Sequence, residues 1–264
     1  MTTGRVDTKD WIPNPSNAHV LKIDGPEIAN FEDQVKLFKS GEKDEVEFLR
    51  FRLRQGVYGQ RQPDAQMIRV KLPFGGVTAD QMDVLGEVAE KYAPLKKGHF
   101  TTRENVQYHH VPLGDTTDLL RTLGDAGMST REACGNVVRN VVAAPTAGVS
   151  KDEAFDVTPY AAAYARYFLR HPTTQNMPRK SKVAFSGSEK DEAMVLMHDV
   201  GMLARVRDGV RGFKIVVGGG LSTNAMMAKT LREFVPAEDL IVNCEAVLRV
   251  FNRQDEEGKS IAKA

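Results

Sequence analysis

Cysteine is scarce in this sequence: Cys134 and Cys244 are the two present, and no C-x-x-C or other metal-ligand spacing joins them. No metal site is therefore expected from the cysteines, and cytosolic free thiols are the default for both. Cys244 shares a helical stripe with Leu240, Ile241, Val247, Leu248 and Phe251, the pattern of a small buried hydrophobe. Cys134 precedes Gly135 in an expected loop. Long apolar runs are also missing, so no bilayer-spanning segment is expected. Nor is there an excess of either charge. The 36 basic and 35 acidic residues leave a net charge of +1, which argues against a nucleic-acid or membrane-surface partner. Met1 to Asp7 lacks the apolar core of a signal peptide, and a cytoplasmic protein is expected.

What is present is an ordinary globular composition, 41% hydrophobic and 27% charged, over 264 residues. That length suits one large domain or two ordinary ones. Residues 1–43 read as an extended N-terminal arm. The single Trp11 is a candidate anchor within its Pro13–Pro15 turn region, and a short helix is possible over Ile28 to Phe38. In Asp44 to Gln62, Arg50, Arg52 and Arg54 alternate with Phe51 and Leu53, the pattern of a solvated strand face. Ile68, Val70 and Leu72 alternate with Arg69 and Lys71 as a half-buried strand. Thr78 is a candidate N-cap for a helix carrying Met82, Leu85, Val88, Ala89 and Tyr92.

The stretch from His99 to Val111 starts as a strand, since Phe100 and Thr102 alternate with Thr101 and Arg103. It also carries Gln107, His109 and His110, and buried polar groups without partners are costly. It is either an edge strand with a solvated face or a strand presenting a fixed cation to an anion. Asp115 to Ala126 reads as a second helix ended by Gly127. Strand, helix, strand, helix over residues 44–128 predicts an α+β, ferredoxin-like half-domain.

Residues 129–264 form the second expected domain. Arg139 and Asn140 interrupt the apolar run Val137–Val142, so Arg139 needs either an anion or an internal salt bridge. Tyr160, Ala163, Tyr164, Tyr167 and Phe168 mark the core stripe of a helix over Thr158 to Arg170. Lys180 and Lys182 face one side of an extended chain, which suits a shared anion or a solvated pair. Gly218, Gly219 and Gly220 follow a strand and form either an N–H cradle for a phosphate or carboxylate, or a point of close backbone packing. A helix is expected over Asn224 to Phe234 and another over Glu238 to Asn252.

Three stretches together resemble the nitrite and sulfite reductase haemoprotein family. They are Thr101-Thr102-Arg103-x-Asn105-x-Gln107, Gly135-Asn136-x-x-Arg139-Asn140-Val141 and Pro178-Arg179-Lys180-x-Lys182. Gly56-x-Tyr58-x-Gln60-Arg61 and Gly212-Phe213 through Leu221 fit in the same order. The resemblance covers roughly residues 45–252 and implies that residues 129–264 are the first part of an α/β sirohaem-binding domain. It implies six-electron reduction of sulfite to sulfide, or of nitrite to ammonia, at sirohaem bridged to a [4Fe–4S] cluster. By motif match Arg103, Arg139, Lys180 and Lys182 would serve the anionic substrate as catalytic cations. Arg61, Gln107, Asn140 and Gly218–Gly220 would contact sirohaem. Lys180-x-Lys182 leans toward sulfite, with nitrite the alternative, and Ser181 departs from the aromatic residue usual between the two lysines. Ferredoxin or a flavoprotein would donate electrons.

The family's cluster takes four cysteines in two pairs, and this chain has two cysteines outside any such pattern. The expectation is an N-terminal half that is inactive without a C-terminal half. Either the reading frame is truncated or a separate C-terminal-half polypeptide completes it. A non-catalytic half-protein that binds sirohaem or a partner chain is the competing expectation.

Overall fold

The computed structural model describes Leu21 and residues 23–257, with side chains through residue 253. Trp11 and its proposed anchoring role lie outside the described residues. The chain divides into two compact units, one within residues 19–140 and the other within residues 141–264.

The first unit opens with helix α1 (Gly25–Lys39), whose first turn holds Pro26 and Glu27. The arm expected to be extended through residue 43 is thus helical over Gly25–Lys39, which contains the short helix considered over Ile28 to Phe38. Helix α2 (Glu45–Arg54) replaces the strand expected from the alternating arginines. Asp44 caps it, its carboxylate accepting from Val46 N and Glu47 N, with Glu45 and Glu47 in the first turn and Arg52 and Arg54 in the last. These charges complement the helix dipole at both ends. Phe38 stacks on Phe48 at 4.3 Å between ring centroids, joining α1 to α2.

Four strands follow: β1 (Val57–Gly59), β2 (Ala65–Lys71), β3 (His99–Phe100) and β4 (Asn105–Pro112), in sheet order β1-β2-β4-β3. All pairs are antiparallel. Helices α3 (Ala79–Tyr92) and α4 (Thr116–Asp125) complete the unit. Thr78 caps α3 as expected, in a full capping box with Gln81. Ile68, Val70, Val106 and Tyr108 lie in one buried core cluster with Leu85, Val88, Leu119 and Leu123 of these helices. Strand side chains alternate between faces, so Arg69, Lys71, Asn105, Gln107 and His109 belong to the other face.

The second unit is built on a five-stranded sheet, order β5-β6-β7-β8-β9. Its strands are β5 (Val138–Ala143), β6 (Ser181–Ser186), β7 (Val200–Arg207), β8 (Val210–Val217) and β9 (Lys229–Pro236). β6 pairs with β7 in parallel, whereas β7–β8 and β8–β9 are antiparallel, so the sheet is mixed. Helix α5 (Thr158–Phe168) buries Tyr164 and Phe168 completely, and Phe155, Phe185 and Phe213 join this aromatic core. Helix α6 (Leu240–Glu257) buries Cys244 as expected, and burial pushes its thiol pKa up to about 12. The helix expected over Asn224 to Phe234 is instead strand β9. The outer edge of β8 needs a strand to satisfy its backbone groups, and the Val217↔Lys229 to Gly212↔Pro236 register supplies one. Tertiary pairing here overrides the helical propensity of Met, Ala, Lys, Leu, Arg and Glu.

Candidate anion and cofactor site

The strand expected across Phe100 to Arg103 is interrupted. β3 ends at Phe100, and residues 101–104 form a tight turn into β4. Local side-chain bonds make the turn. Thr101 Oγ1 accepts from the backbone N of Arg103 and of Asn105, both at 3.2 Å. Asn105 Nδ2 donates back to Arg103 O at 2.9 Å. Such short polar side chains compete with a strand ladder for the backbone. Glu104 adopts φ +54°, a left-handed conformation uncommon for a residue with a side chain. Arg103 therefore projects from a rigid turn rather than from a strand. Its Nη2 donates to Asn140 O at 2.6 Å.

Behind the turn, the polar sheet face gathers further cations. The register aligns His99 with Gln107 and Gln107 with Arg69. With its amide turned so that both ends are satisfied, Gln107 bridges that row: its oxygen accepts from Arg69 Nε (2.9 Å) and Nη2 (2.7 Å), and its nitrogen donates to His109 Nε2 at 3.3 Å. Arg69 Nη1 donates to Ala133 O at 3.1 Å and to Cys134 Sγ at 3.4 Å. Arg139 Nη1 meets the same Ala133 O at 3.1 Å, and its Nε donates to Gly135 O at 2.8 Å. Two guanidinium groups thus converge on one carbonyl. Among the described residues neither has a hydrogen-bonded carboxylate, so the internal salt bridge considered for Arg139 is not what holds it. Burial lowers the Arg139 pKa. Burial raises that of the Cys134 thiol, against the pull of Arg69 and Arg139. Burial, then the charges of His99, His110 and Arg69, lower that of His109.

Beneath this layer Lys71 and Glu132 form an ion pair at 3.6 Å with both side chains fully buried. Lys71 Nζ also donates to Val138 O at 3.4 Å, and its backbone N donates to Ser129 O at 2.8 Å. Lys71 is thus not on the half-exposed face that its alternation with Val70 suggested. Arg69, Lys71, His99 and His109 are members of this cluster that were not expected as site residues, although His109 stood out as a polar group on its strand. Strand pairing brings them together, and the one available signal was their common parity with Gln107 once that pairing is drawn.

The other expected site residues stand as follows. Arg61 is exposed, in an open groove of 470 Å³ with Tyr58, Gly59, Gln60 and Gln62. Asn140 is buried, and its amide is spent on backbone carbonyls. In the second unit Lys180 is exposed just before β6, and Lys182 is half-buried with its backbone N on Asp199 Oδ2 at 2.7 Å. Ser181 between them turns inward and is buried, so the two lysines alternate with it as the sequence implied. In the Gly-rich turn the three N–H groups are all used internally. Gly218 N donates to Asp199 O, Gly219 N to His198 O and Gly220 N to Met226 O. A Cβ on Gly219 would stand 2.4 Å from Leu196 O, whereas one on Gly218 or Gly220 would meet nothing within 4 Å. The turn is close-packed at Gly219, and what it offers a ligand is bare backbone surface rather than N–H donors.

The fold and these residues define an α+β protein whose first unit carries a cationic, partly buried sheet face. Residues 58–126 match the nitrite/sulfite reductase ferredoxin-like half domain, and residues 134–263 match the nitrite and sulphite reductase 4Fe-4S domain. The chain belongs to the nitrite and sulfite reductase family, a family of oxidoreductases. It is 30% identical over 190 residues to a ferredoxin–nitrite reductase of Leptolyngbya laminosa, covering 70% of this chain and 37% of that one. It is 34% identical over 186 residues to sulfite reductase [ferredoxin] 1 of Mycolicibacterium paratuberculosis, covering 70% and 33%. The structure of Mycobacterium tuberculosis NirA protein superposes with a TM-score of 0.73 at 27% identity, over 86% of this chain and 46% of that one. Dissimilatory sulfite reductase I shares the fold, with a TM-score of 0.60 at 11% identity. The chain spans about a third of the length of the curated relatives it matches. Among the described residues no group of His, Cys, Asp and Glu is arranged to hold a metal ion, and no helix is long and apolar enough to cross a membrane.

Proposed function

We propose that this chain supplies the anion-binding wall of an assimilatory sulfite reductase haemoprotein, which reduces sulfite to sulfide with electrons from ferredoxin or a flavoprotein. The observation that carries this reading is the meeting of Arg69 and Arg139 at Ala133 O, two guanidinium groups on neutral partners. Half-buried cations without a carboxylate suit an anionic ligand. Sirohaem fits such a donor set through its carboxylates. When bound, it supplies the iron at which the substrate is reduced. Arg103, Arg139, Lys180 and Lys182 bind the anion, stabilise charge on its oxygens and support proton delivery as S–O bonds break. Arg61, Gln107 and the bare backbone of Gly218 and Gly220 serve the cofactor. Lys180-x-Lys182 supports sulfite over nitrite. A cytoplasmic setting goes with two free thiols.

The [4Fe–4S] cluster does not fit the residues present, because two cysteines cannot supply four thiolates. The cluster's ligands then come from outside this sequence, on a continuation of it or on a separate polypeptide, and a second reading is a non-catalytic half-protein that binds sirohaem or a partner chain. One experiment tests both. The chain is co-expressed with a cysteine-bearing C-terminal-half polypeptide of the family, and the visible spectrum and sulfite turnover of the pair are recorded. The expected result is sirohaem absorption and turnover. Arg103→Ala and Lys182→Ala should each lower turnover at least about tenfold, with little change in thermal midpoint. No sirohaem absorption in the pair would rule out the reductase reading, and wild-type turnover in either variant would refute the assigned role.

A further inference from the structure

Asn140 was expected among the cofactor contacts, but its geometry shows another task. Its side chain is 1% exposed. Nδ2 lies 2.6 Å from Leu72 O, 3.0 Å from Arg103 O and 3.1 Å from Glu104 O. Two amide hydrogens facing three carbonyls leave one bond shared. The orientation is unambiguous, because an amide oxygen in that position would face three acceptors. Oδ1 is buried with no hydrogen-bond partner, a cost that the donor side has to offset.

The three carbonyls belong to two separate segments. Leu72 follows β2, and Arg103 and Glu104 form the strained turn between β3 and β4. In return, Arg103 Nη2 donates to the backbone oxygen of Asn140 itself at 2.6 Å. Each residue thus holds the other's main chain: the Asn140 amide fixes the Arg103 carbonyl, and the Arg103 guanidinium fixes the Asn140 carbonyl. The left-handed Glu104, φ +54°, needs such support, since sparsely populated backbone conformations persist only where surroundings over-determine them.

We propose that Asn140 is a positioning residue, which locks the 101–104 turn and so aims the Arg103 guanidinium at the bound anion. This deepens the proposed function and rests on it for Arg103's role. The neighbouring pair Arg139-Asn140 then divides labour: Arg139 stands on the ligand side, and Asn140 works from the buried side.

The test uses the full chain and needs no cofactor in its first arm. Arg103 Nε–H order is measured by 15N relaxation in wild type, Asn140→Ala and Asn140→Ser. The expected result is an ordered Arg103 in wild type, a mobile one in Asn140→Ala and an intermediate one in Asn140→Ser, which keeps a single donor and protects against loss of fold. Unchanged Arg103 order in both variants overturns the proposal. In the second arm sulfite is the probe, titrated while the Arg139 Nε–H resonance is followed. Arg103→Ala and Asn140→Ala should each weaken apparent affinity by about tenfold, the scale of one charge-assisted hydrogen bond. The double variant should be no weaker than Arg103→Ala alone. Full additivity means that Asn140 acts directly on the ligand and overturns the proposal. If Arg103→Ala leaves sulfite affinity unchanged, it is the anion-binding reading that fails, while the first arm still decides what Asn140 does.

Discussion

His109 illustrates how far a single residue's protonation is set by its neighbours. It lies half-buried beside Arg69, with the His99 ring centroid at 6.1 Å and the His110 centroid at 6.3 Å. Burial first, and then these like charges, lower its pKa below the ordinary 6.5. A depressed folded-state value means that the unfolded chain takes up the proton first as pH falls. The stability that neutral His109 contributes is therefore present above about pH 6.5 and is lost as pH falls through the window below it. Urea midpoints across this range should drop toward acid in wild type, and His109→Gln should flatten that limb. An acid limb in His109→Gln identical to wild type would remove His109 from the account. At this scale the sequence was informative for Arg139, because an arginine inside Val-Val-Arg-Asn-Val-Val has to find a partner. It was uninformative for Lys71. Arg69 and Lys71 have the same parity on β2, yet Arg69 is half-exposed and Lys71 is sealed in. The difference comes from the segment around Ser129 and Glu132, more than fifty residues further along, and no local pattern reports it.

Between elements, the buried Lys71–Glu132 pair is the tie that joins the end of β2 to the loop carrying Ala133 and Gly135. Glu132 also takes a left-handed backbone, φ +61°, and its N donates to Arg54 O at 2.7 Å. Removing one partner of a buried pair leaves the other uncompensated, whereas replacing both with apolar groups is often neutral. Glu132→Gln should therefore cost about 3–5 kcal/mol of unfolding free energy, and Lys71→Met combined with Glu132→Leu should recover most of it. Denaturant unfolding of the three chains checks this, and a near-neutral Glu132→Gln would show that the pair is not a tie. The elements that sequence reading placed correctly are those with strong local signals: α3 with its Thr78 cap, α4 ended by Gly127, and α6 with its apolar stripe. Two were misread for opposite reasons. In α2 the alternation of arginine with Phe51 and Leu53 hid a helix that the Asp44 cap and the charge order at both ends support. In β9 a helix-favouring composition hid a strand that exists because β8 offers it an edge.

For the molecule as a whole, a net charge of +1 conceals strong local segregation. Arg69, Lys71, Arg103 and Arg139 all belong to the first unit, and averaging over the chain erases them. Average composition therefore excluded non-specific polyanions without excluding a built anion site. The cysteines set a firmer limit. Residues 134–263 match a 4Fe-4S domain, but the two thiols available are both buried, and burial raises the pKa of each. A thiolate, not a thiol, ligates iron, and each [4Fe–4S] cluster takes four. Reconstitution of this chain alone with ferrous iron and sulfide should therefore give no broad iron–thiolate absorption in the visible spectrum, and far less than one cluster per chain by iron analysis. The same procedure on the chain paired with a cysteine-bearing polypeptide should give one. A full cluster on the isolated chain would mean that ligands other than cysteine complete the site, and would remove the need for a partner chain.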